Sequence, residues 1–267
     1  SAPMTLLDCH DKNLLFWDAS MPEELHQHTL AAVTAAMGVR EGHMEVFDSE
    51  KDGKDSCMEA ILLSRYNRMH TPGDDFPEDA YPYMAVRMDP NGTIRTNYSQ
   101  MAPYGSKEYK ENQVLANALI DALRPMLDWL LQTVKLNMAQ DELEELEVII
   151  RSLPLSSSSP FHPWTSMIVN FQAVTAGHCD YGDKNFCGIF TLGDFVGGEL
   201  VLYEPGLVVP LRSGDLAIFP SADTTHFNLH CTGVRMSFVF KSDHQLSRWP
   251  RDANGFAHTS FSPFTST

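Results

Sequence analysis

The spacing of apolar residues divides the chain into a first part with helical periodicity and a second part with the shorter alternation of β-strands. Apolar side chains recur every three or four positions over residues 22–39 and again over residues 111–153, which predicts two helical regions. Ser20 and Glu23 form a capping-box pattern, so we expect the first helix to begin beside them. Pro125 interrupts the second pattern and predicts a kink or a break there.

The remaining patterns predict a hairpin, a loop and a series of strands. Two extended runs flank Pro-Asn-Gly at residues 83–98, a hairpin signal, and the polar run "LPLSSSSP" at residues 153–160 predicts a loop. From Trp164 onward, short β-rich runs are separated by Gly, Pro and Asp: "WTSMIVNFQAV", "FCGIFTL", "GELVLY", "LVVPL", "DLAIFP" and "VRMSFVF". Strands this short and this closely spaced predict a sandwich or barrel. We therefore expect an α+β protein whose β-barrel, residues 156–267, packs against a helical and hairpin region, residues 1–155, in one integrated domain.

The chain is strongly acidic, with a formal net charge of −16 over 267 residues. Thirteen basic and 26 acidic residues lie in the first 155 positions, whereas six and nine lie in the remainder. Such a charge argues against non-specific binding to a phosphate backbone, which needs clustered Lys and Arg. We see no apolar run of about 18 residues and no signal-peptide pattern. These features predict an intracellular protein, cytoplasmic or nuclear, without a membrane partner, and they leave its oligomeric state open.

The stretch "GHCDYGD", residues 177–183, places His178 and Asp180 two positions apart. In an extended segment, side chains at i and i+2 lie on the same face, so an imidazole and a carboxylate would point at one place, as metal ligands do. The alternative is a surface turn with two polar residues. His226 is the best candidate for a third ligand, because two histidines and one carboxylate leave open positions on a metal, as in non-haem Fe(II) oxygenases. His230 is the rival candidate, which we expect to face solvent.

A second candidate site lies in "GVRMSFVF", where Arg235 follows His226 by nine residues. Arg235 and Ser237 lie on the same face of the predicted strand, so a guanidinium and a hydroxyl would project together into the barrel. Arginine is costly to bury without an anionic partner, and the far carboxylate of 2-oxoglutarate would suit this pair. The alternative is an ordinary surface arginine on an edge strand. The His-x-Asp pair, the later histidine and the Arg-x-Ser pair are together much more specific than any one of them.

The motifs "HCDYGD", "GGEL", "SGDLAIFPS", "THF" and "VRMSF" together resemble the core of Fe(II)/2-oxoglutarate-dependent dioxygenases, over residues 164–243. A longer string that spans these motifs is similar to fungal members related to the TET/J-binding-protein oxygenases. The resemblance implies a double-stranded β-helix of the jelly-roll or cupin type. It implies that His178, Asp180 and His226 are the catalytic centre and the iron ligands, and that Arg235 anchors 2-oxoglutarate.

The resemblance also implies a supporting residue and a reaction class. Ser237 would support Arg235. Asn170 is a further candidate from its position alone, since it lies in the strand that leads into the metal motif and could contact 2-oxoglutarate or substrate. The implied reaction is oxidation, by default hydroxylation, of a C–H bond with release of succinate and carbon dioxide. We expect a small-molecule substrate because the chain is acidic and carries no nucleic-acid-binding appendage. The first 155 residues would supply much of the substrate pocket.

Two alternatives to a small-molecule oxygenase stay open. One is a TET/J-binding-protein-like oxygenase of methylated bases in DNA or RNA, which would need a basic, aromatic-lined channel. The segment "LLSRYNRMH", residues 62–70, is the one candidate for such a channel, and its simpler interpretation is a strand followed by a polar loop. The other alternative is a catalytically dead cupin-like barrel used for binding.

Several residues near the motifs are expected to be structural or peripheral. Four are predicted to occupy turns rather than to act chemically: Gly197, Gly198, Gly214 and Asp215. Cys179 is expected to be buried packing, because in a regular strand it would point away from the flanking ligands. Lys184 and Arg212 could approach the barrel mouth, but two charges make a weak track for a phosphate backbone.

Overall fold

The structure is a computed structural model that describes residues 2–38, 47–48, 59–64, 87–88, 94–95, 109, 111–153, 160–247 and 251. The α-helices are α1 Glu23–Met37, α2 Gln113–Asn137 and α3 Gln140–Ser152. The strands are β1 Met4–Leu7, β2 Asn13–Asp18, β3 Phe47–Asp48, β4 Glu59–Ser64, β5 Arg87–Met88, β6 Ile94–Arg95, β7 Ser166–Phe171, β8 Cys187–Gly197, β9 Leu200–Leu202, β10 Leu207–Val209, β11 Leu216–Phe219, β12 His226–Asn228 and β13 Cys231–Lys241. A 3-10 helix, His244–Ser247, follows β13. None of the helices in these ranges is long and apolar enough to span a membrane.

The strands form two main antiparallel sheets. The large sheet has the order β1-β2-β11-β8-β13-β7-β4, and β3 also pairs with β13. The small sheet has the order β10-β9-β12, and β5 pairs with β6 in a separate hairpin. The predicted α+β class and the strand-rich second part are therefore confirmed. The sequence pattern did not predict that β1, β2 and β4 of the first 155 residues would join the same sheet as the later strands.

The structure describes the strands of the predicted hairpin but not every predicted loop. The two strands of the predicted hairpin pair as expected, with Arg87 opposite Arg95 and Met88 opposite Ile94. The Pro-Asn-Gly turn between them lies outside the described residues. The polar run at residues 154–159 and the basic and aromatic part of "LLSRYNRMH", residues 65–70, also lie outside them.

One face of the large sheet packs on the helices. Met236, Phe238 and Phe240 of β13 are almost fully buried there, in one apolar core with residues of α2. Because side chains alternate along a strand, Arg235 and Ser237 of β13 point to the other face. That face packs against the small sheet through a second apolar cluster: Leu15, Cys187, Ile189, Leu200, Leu202, Val209, Leu211, Ala217 and Phe219. Arg235 and Ser237 therefore lie between the two sheets rather than under the helices.

The capping box predicted at Ser20 is wrong. Pro22 is the N-cap of α1, no side chain caps the helix, and the first helical hydrogen bond runs from His26 N–H to Pro22 O at 2.9 Å. The Ser20 N–H instead donates to Asp18 Oδ1 at 2.7 Å. Asp18 therefore forms a local side-chain turn that fixes the segment before the helix, and this turn competes with the predicted cap.

Pro125, where the sequence predicts a kink or a break, does not break the helix. Helix α2 continues through Pro125, and the break falls at Met138 and Ala139, whose ψ angles of 154° and 132° are extended. An internal proline costs about 3 kcal/mol, whereas each fully buried apolar side chain contributes about 1.5–3 kcal/mol. The buried stripe of α2 continues on both sides of the proline: Leu119, Leu123, Met126, Leu130 and Val134. Burial of this stripe therefore outweighs the local cost.

Candidate active site

His178, Asp180 and His226 lie together beside the end of the small sheet. One ligand atom from each residue lies within 4.8 Å of the ligand atoms of the other two. His226 Nε2 and Asp180 Oδ2 are 3.7 Å apart, and the ring centroids of the two histidines are 4.4 Å apart. Across the described ranges, this is the one group of three such side chains with metal-ligand spacing. His230 is exposed and does not belong to it.

A backbone bridge, rather than a regular strand, brings the ligands together. The His178 N–H donates to His226 O at 3.2 Å, and the His226 N–H donates to His178 O at 2.9 Å, which forms an isolated antiparallel bridge. His226 itself lies in β12, opposite Leu202 of β9. His178 and Asp180 lie in the loop between β7 and β8 rather than in a regular strand, although their ligand atoms converge on one place as expected. Pairing between distant segments brings His226 beside His178, which the i, i+2 spacing of His178 and Asp180 does not predict.

The two imidazoles are oriented by carbonyl groups of their own loops. His178 Nδ1 lies 2.9 Å from Ala176 O, and His226 Nδ1 lies 3.0 Å from Thr224 O. Because a carbonyl oxygen can only accept, each Nδ1 carries the proton and each Nε2 keeps its lone pair for a metal. Burial holds the pKa of His226 below its ordinary value, which favours the neutral imidazole that binds metals.

Arg235 is buried without partners for part of its guanidinium. Its side chain is 2% exposed, yet Nε and Nη2 make no hydrogen bond. The Cζ atom lies 5.5 Å from the ring centroid of Phe195, at cation–π distance. Burial lowers the pKa of Arg235 from its ordinary value, because removal from water penalises the charged form. A buried, unpaired cation costs several kcal/mol, so this site is suited to an anionic ligand.

Glycine next to β9 makes the room that Arg235 occupies. A Cβ at Gly198 would lie 2.9 Å from Arg235 Nε, and the φ of +74° at this position also favours glycine. Gly197 and Gly214 likewise have positive φ, and Gly214 lies in a turn as predicted, whereas Gly197 is the last residue of β8 and pairs with Cys231 of β13. Asp215 accepts hydrogen bonds from Arg212 N–H at 3.0 Å and Trp17 Nε1 at 3.3 Å, which gives it a structural role in its turn.

Ser237 and Asn170 lie in a polar row beside Arg235. In the register of the large sheet, Ser237 stands opposite Asn170 of β7 on one side and Thr191 of β8 on the other. Ser237 and Thr191 are buried, and Asn170 is half-buried. Directly paired residues project to the same face, so the three polar side chains share the inner face with Arg235.

Gln172 is a residue of this site that the sequence analysis missed. It follows β7 with a φ of +50°, and it is 2% exposed. Its N–H donates to Arg235 O at 3.0 Å, and its Oε1 accepts from Arg235 N–H at 3.1 Å. The side chain therefore completes the hydrogen bonding of β13 where β7 ends. No sequence signal marks this role, because "NFQAV" resembles the continuation of a strand.

Two expectations about neighbouring residues are corrected. Cys179 is half-buried rather than buried, and its Sγ lies 3.4 Å from Thr225 Oγ1. It lies in a loop, where side chains do not alternate between faces as they do in a strand. Lys184 does not project freely toward the barrel mouth, because its Nζ donates to Glu145 Oε2 of α3 at 2.7 Å. Arg212 is exposed.

The comparisons with known proteins identify a fold. No protein-family profile and no curated protein matches the sequence. The solved structure of NgTET1 in complex with 5mC DNA is similar, with a TM-score of 0.61 and 14% identity over 91% of this chain and 76% of that chain. A Burkholderia pseudomallei oxidoreductase of the 2OG-Fe(II) oxygenase family has 21% identity over 29% of this chain and 42% of that chain, with a TM-score of 0.27. A Pseudomonas putida prolyl-4-hydroxylase has 12% identity over 85% and 92%, with a TM-score of 0.34.

Only the first of these likenesses is strong enough to carry an argument, and it concerns the fold. The match to NgTET1 extends over most of both chains and therefore includes most of the first 155 residues as well as later strands. The resemblance that the motifs predict is thus confirmed for the fold: the chain has the overall fold of NgTET1.

Proposed function

We propose that this protein is an Fe(II)- and 2-oxoglutarate-dependent dioxygenase whose strands form a double-stranded β-helix. The observation that carries the proposal is a pairing of two features. Three side chains with metal-ligand spacing lie beside the small sheet, and a buried guanidinium with unpartnered nitrogens lies on the inner face of the large sheet. One feature suits a metal, and the other suits the anionic end of a cosubstrate.

His178, Asp180 and His226 fit a non-haem iron. Two imidazoles and one carboxylate form the ligand set that leaves positions on Fe(II) open for other molecules. The Nδ1 atoms are held by carbonyl oxygens at 2.9 and 3.0 Å, so both Nε2 atoms are available as ligands. Asp180 supplies the carboxylate oxygen, 3.7 Å from His226 Nε2.

Arg235 fits one carboxylate of 2-oxoglutarate. Its Nε and Nη2 lack hydrogen-bond acceptors, and a carboxylate would supply them in the paired geometry that guanidinium favours. Ser237, on the same face, adds a hydroxyl, and Asn170 adds an amide that can contact the cosubstrate or the substrate. Gln172 holds the Arg235 backbone at the position where its side chain enters the pocket.

The chemistry follows from what the bound groups supply and what the chain adds. With iron and 2-oxoglutarate bound, the centre would supply oxygen-dependent oxidation of a C–H bond, with release of succinate and carbon dioxide. The chain orients the ligands, neutralises the cosubstrate through Arg235 and excludes water with the apolar cluster between the sheets. In this proposal, residues 156–267 carry the centre and residues 1–155 shape the substrate pocket.

We favour a small, non-polymeric substrate because residues 160–247, which contain the candidate centre, offer no basic track. Four basic residues lie within residues 160–247, and three of them are engaged or enclosed. Lys184 pairs with Glu145, Lys241 pairs with Asp183 at 2.9 Å, and Arg235 is buried. A phosphate backbone is held by several exposed cations, and Arg212 alone would contribute little.

Oxidation of a methylated base is the second candidate, and two observations favour it. The similar NgTET1 structure is one in complex with 5mC DNA. Tyr181, which directly follows Asp180, and Tyr203, which directly follows β9, are 80% and 69% exposed. Exposed aromatic rings beside a metal centre would stack on an extruded base, and stacking of this kind does not require a basic track.

One experiment separates the candidates. The iron-loaded protein is incubated with 2-oxoglutarate and a panel of metabolites, amino acids and methylated DNA and RNA oligonucleotides, and substrate-dependent succinate release is measured. Release with a metabolite supports the first candidate, and release with a methylated oligonucleotide supports the second. Binding of 2-oxoglutarate without any turnover supports a binding protein. Asp180→Ala and His178→Ala serve as controls, and full activity in both variants would refute the assigned centre.

A further inference from the structure

A closed set of hydrogen bonds surrounds the backbone of Asp180. The Asp180 N–H donates to Ser221 O at 2.9 Å, just beyond the end of β11. The Ser221 hydroxyl donates to Asp183 Oδ2 at 2.9 Å, and the Asp183 N–H donates back to Asp180 O at 2.8 Å. The three residues thus form a ring in which each is bonded to the other two. We call Ser221, Asp183 and Lys241 the anchor group. Lys241 is included because it donates to Oδ1, the second carboxylate oxygen of Asp183.

The anchor group is buried and contains an ion pair. Lys241 Nζ donates to Asp183 Oδ1 at 2.9 Å, and the side chains of Lys241 and Asp183 are 19% and 1% exposed. Ser221 is fully buried. Both carboxylate oxygens of Asp183 are therefore occupied within the protein, which distinguishes this carboxylate from that of Asp180, whose Oδ2 faces His226.

The end of β13 fixes the same loop at further points. Lys184 N–H donates to Ser242 O at 2.7 Å, and His244 N–H donates to Gly182 O at 2.9 Å. Asp183 also forms an isolated antiparallel bridge with Asp243. The loop that carries Asp180 is thus attached to the two segments that directly follow β11 and β13 of the large sheet, although it belongs to no strand itself.

Stability alone does not explain this arrangement. A buried ion pair is on average no more stabilising than apolar side chains of similar volume, because desolvation of both charges offsets their attraction. Its geometric effect is more specific, since the Asp183 carboxylate holds the Ser221 hydroxyl and the Lys241 ammonium at set distances. That geometry is transmitted directly to Asp180, whose N–H and carbonyl are both bonded within the ring.

We propose that Ser221, Asp183 and Lys241 are positioning residues that set the orientation of the Asp180 carboxylate toward the metal. The inference rests on the proposed metal centre and adds to it three residues that do not touch the metal. Groups that orient metal ligands in other proteins contribute roughly 10- to 100-fold to metal affinity. Loss of the anchor group is therefore expected to weaken metal binding by a similar factor while the sheets stay folded.

The test measures Mn(II) affinity and thermal stability in the same variants, with Mn(II) as an oxygen-stable probe for the iron site. Ser221→Ala removes the hydroxyl that joins β11 to Asp183. Ser64→Ala is the matched control, because Ser64 is also a buried serine of the large sheet and its Oγ lies 2.6 Å from Ser166 Oγ in the β4–β7 pair. We expect Ser221→Ala to lose roughly 10- to 100-fold in Mn(II) affinity by calorimetry and Ser64→Ala to lose none, at comparable metal-free melting temperatures.

Each outcome decides between explanations. Unchanged Mn(II) affinity in Ser221→Ala, with a wild type that binds Mn(II), overturns the positioning role and leaves the proposed function intact. A wild type that does not bind Mn(II) overturns the metal centre and the positioning role together. If Ser221→Ala does not fold, Asp183→Asn provides the measurement, because it keeps the side-chain shape while it removes the charge that Lys241 pairs with. Equal affinity in Asp183→Asn and wild type would then contradict the inference.

Discussion

The two halves of the candidate site are built in different ways. Arg235 and Ser237 lie within an 11-residue strand that is paired along both of its edges. The metal ligands lie in a loop and in a three-residue strand, joined by an isolated bridge. The first half takes its geometry from a regular β-ladder, in which the face that each side chain occupies follows from the alternation along the strand. The second half takes its geometry from individual hydrogen bonds between segments that are distant in sequence.

This difference predicts where each half is vulnerable. A ladder distributes its hydrogen bonds over many residues, so a substitution on the inner face of β13 leaves the strand in place and changes the pocket chemistry alone. The metal loop relies on a few bonds, such as Asp180 N–H to Ser221 O at 2.9 Å. Small changes there should alter ligand geometry before they alter the fold. The predictions below are ordered by the size of the expected effect.

Removal of a metal ligand should have the largest effect. His226→Ala deletes the buried ligand of the three and should lower Mn(II) affinity by more than the roughly 100-fold typical of supporting residues. The sheets should stay folded, because His226 keeps its backbone pairing with Leu202 and His178. Calorimetric titration with Mn(II), together with circular dichroism of the metal-free protein, measures both quantities.

His230→Ala is the matched control for that experiment. His230 is exposed, lies four residues further along the chain and does not belong to the group with metal-ligand spacing. The His230→Ala variant should therefore bind Mn(II) with the same affinity as the wild type. If His230→Ala lost the metal and His226→Ala kept it, the assignment of the third ligand would be wrong. The description of the metal ligands as held by the His178–His226 bridge would then fail as well.

Arg235→Ala should have the next largest effect, on 2-oxoglutarate and not on the metal. A hydrogen bond to a charged group contributes about 1.5–3 kcal/mol, so the affinity for 2-oxoglutarate should fall by roughly ten- to a hundredfold. Arg235→Lys should recover part of the loss, because an ammonium keeps the charge but not the planar pair of donors. Titration with 2-oxoglutarate in the presence of Mn(II) gives both values. An unchanged titration would rule out the anchoring role.

Arg235→Met should change stability in the opposite direction to binding. The unpartnered Nε and Nη2 of Arg235 cost desolvation energy in the protein without cosubstrate, whereas methionine fills a similar volume without charge. The ligand-free variant should therefore gain about 1 kcal/mol or more in its free energy of unfolding. Urea denaturation without 2-oxoglutarate checks the sign. A clear loss of stability would show that Arg235 already has a compensating partner.

The regular half of the site and much of the fold could be predicted from sequence for a physical reason. The period of two along "VRMSFVF" correctly places Arg235 and Ser237 on the face away from Phe238 and Phe240. The same reasoning identified the later strands, because burial on one face leaves a local pattern. The strands β1 and β2 were missed, and the pairing of β4 was not predicted, because these pairings depend on partners far along the chain. The segment "NLLFWD" alone does not distinguish a strand from another buried segment.

The irregular half could be predicted only as a set of residues. The chemistry of His178, Asp180 and His226 suggests a metal whatever the backbone does, and the structure does bring the three together. The i, i+2 spacing accounts for the convergence of His178 and Asp180 but not for the position of His226, which depends on a single bridge to His178. Ser221, Asp183, Lys241 and Gln172 leave no local signal, since each acts through a hydrogen bond to a residue that the sequence alone does not place beside it.

Ser237→Ala should have the smallest measurable effect and gives the finest test of the comparison. Ser237 stands opposite Asn170 and Thr191 on the inner face, two residues from Arg235. A neutral hydrogen bond contributes about 0.5–1.5 kcal/mol, so the affinity for 2-oxoglutarate should fall by roughly two- to tenfold, with Mn(II) affinity unchanged. Ser64→Ala, in the same large sheet, should change neither affinity. A parallel loss of Mn(II) affinity in Ser237→Ala would indicate that the strand and the loop are coupled, and the two halves would then have to be described as one unit.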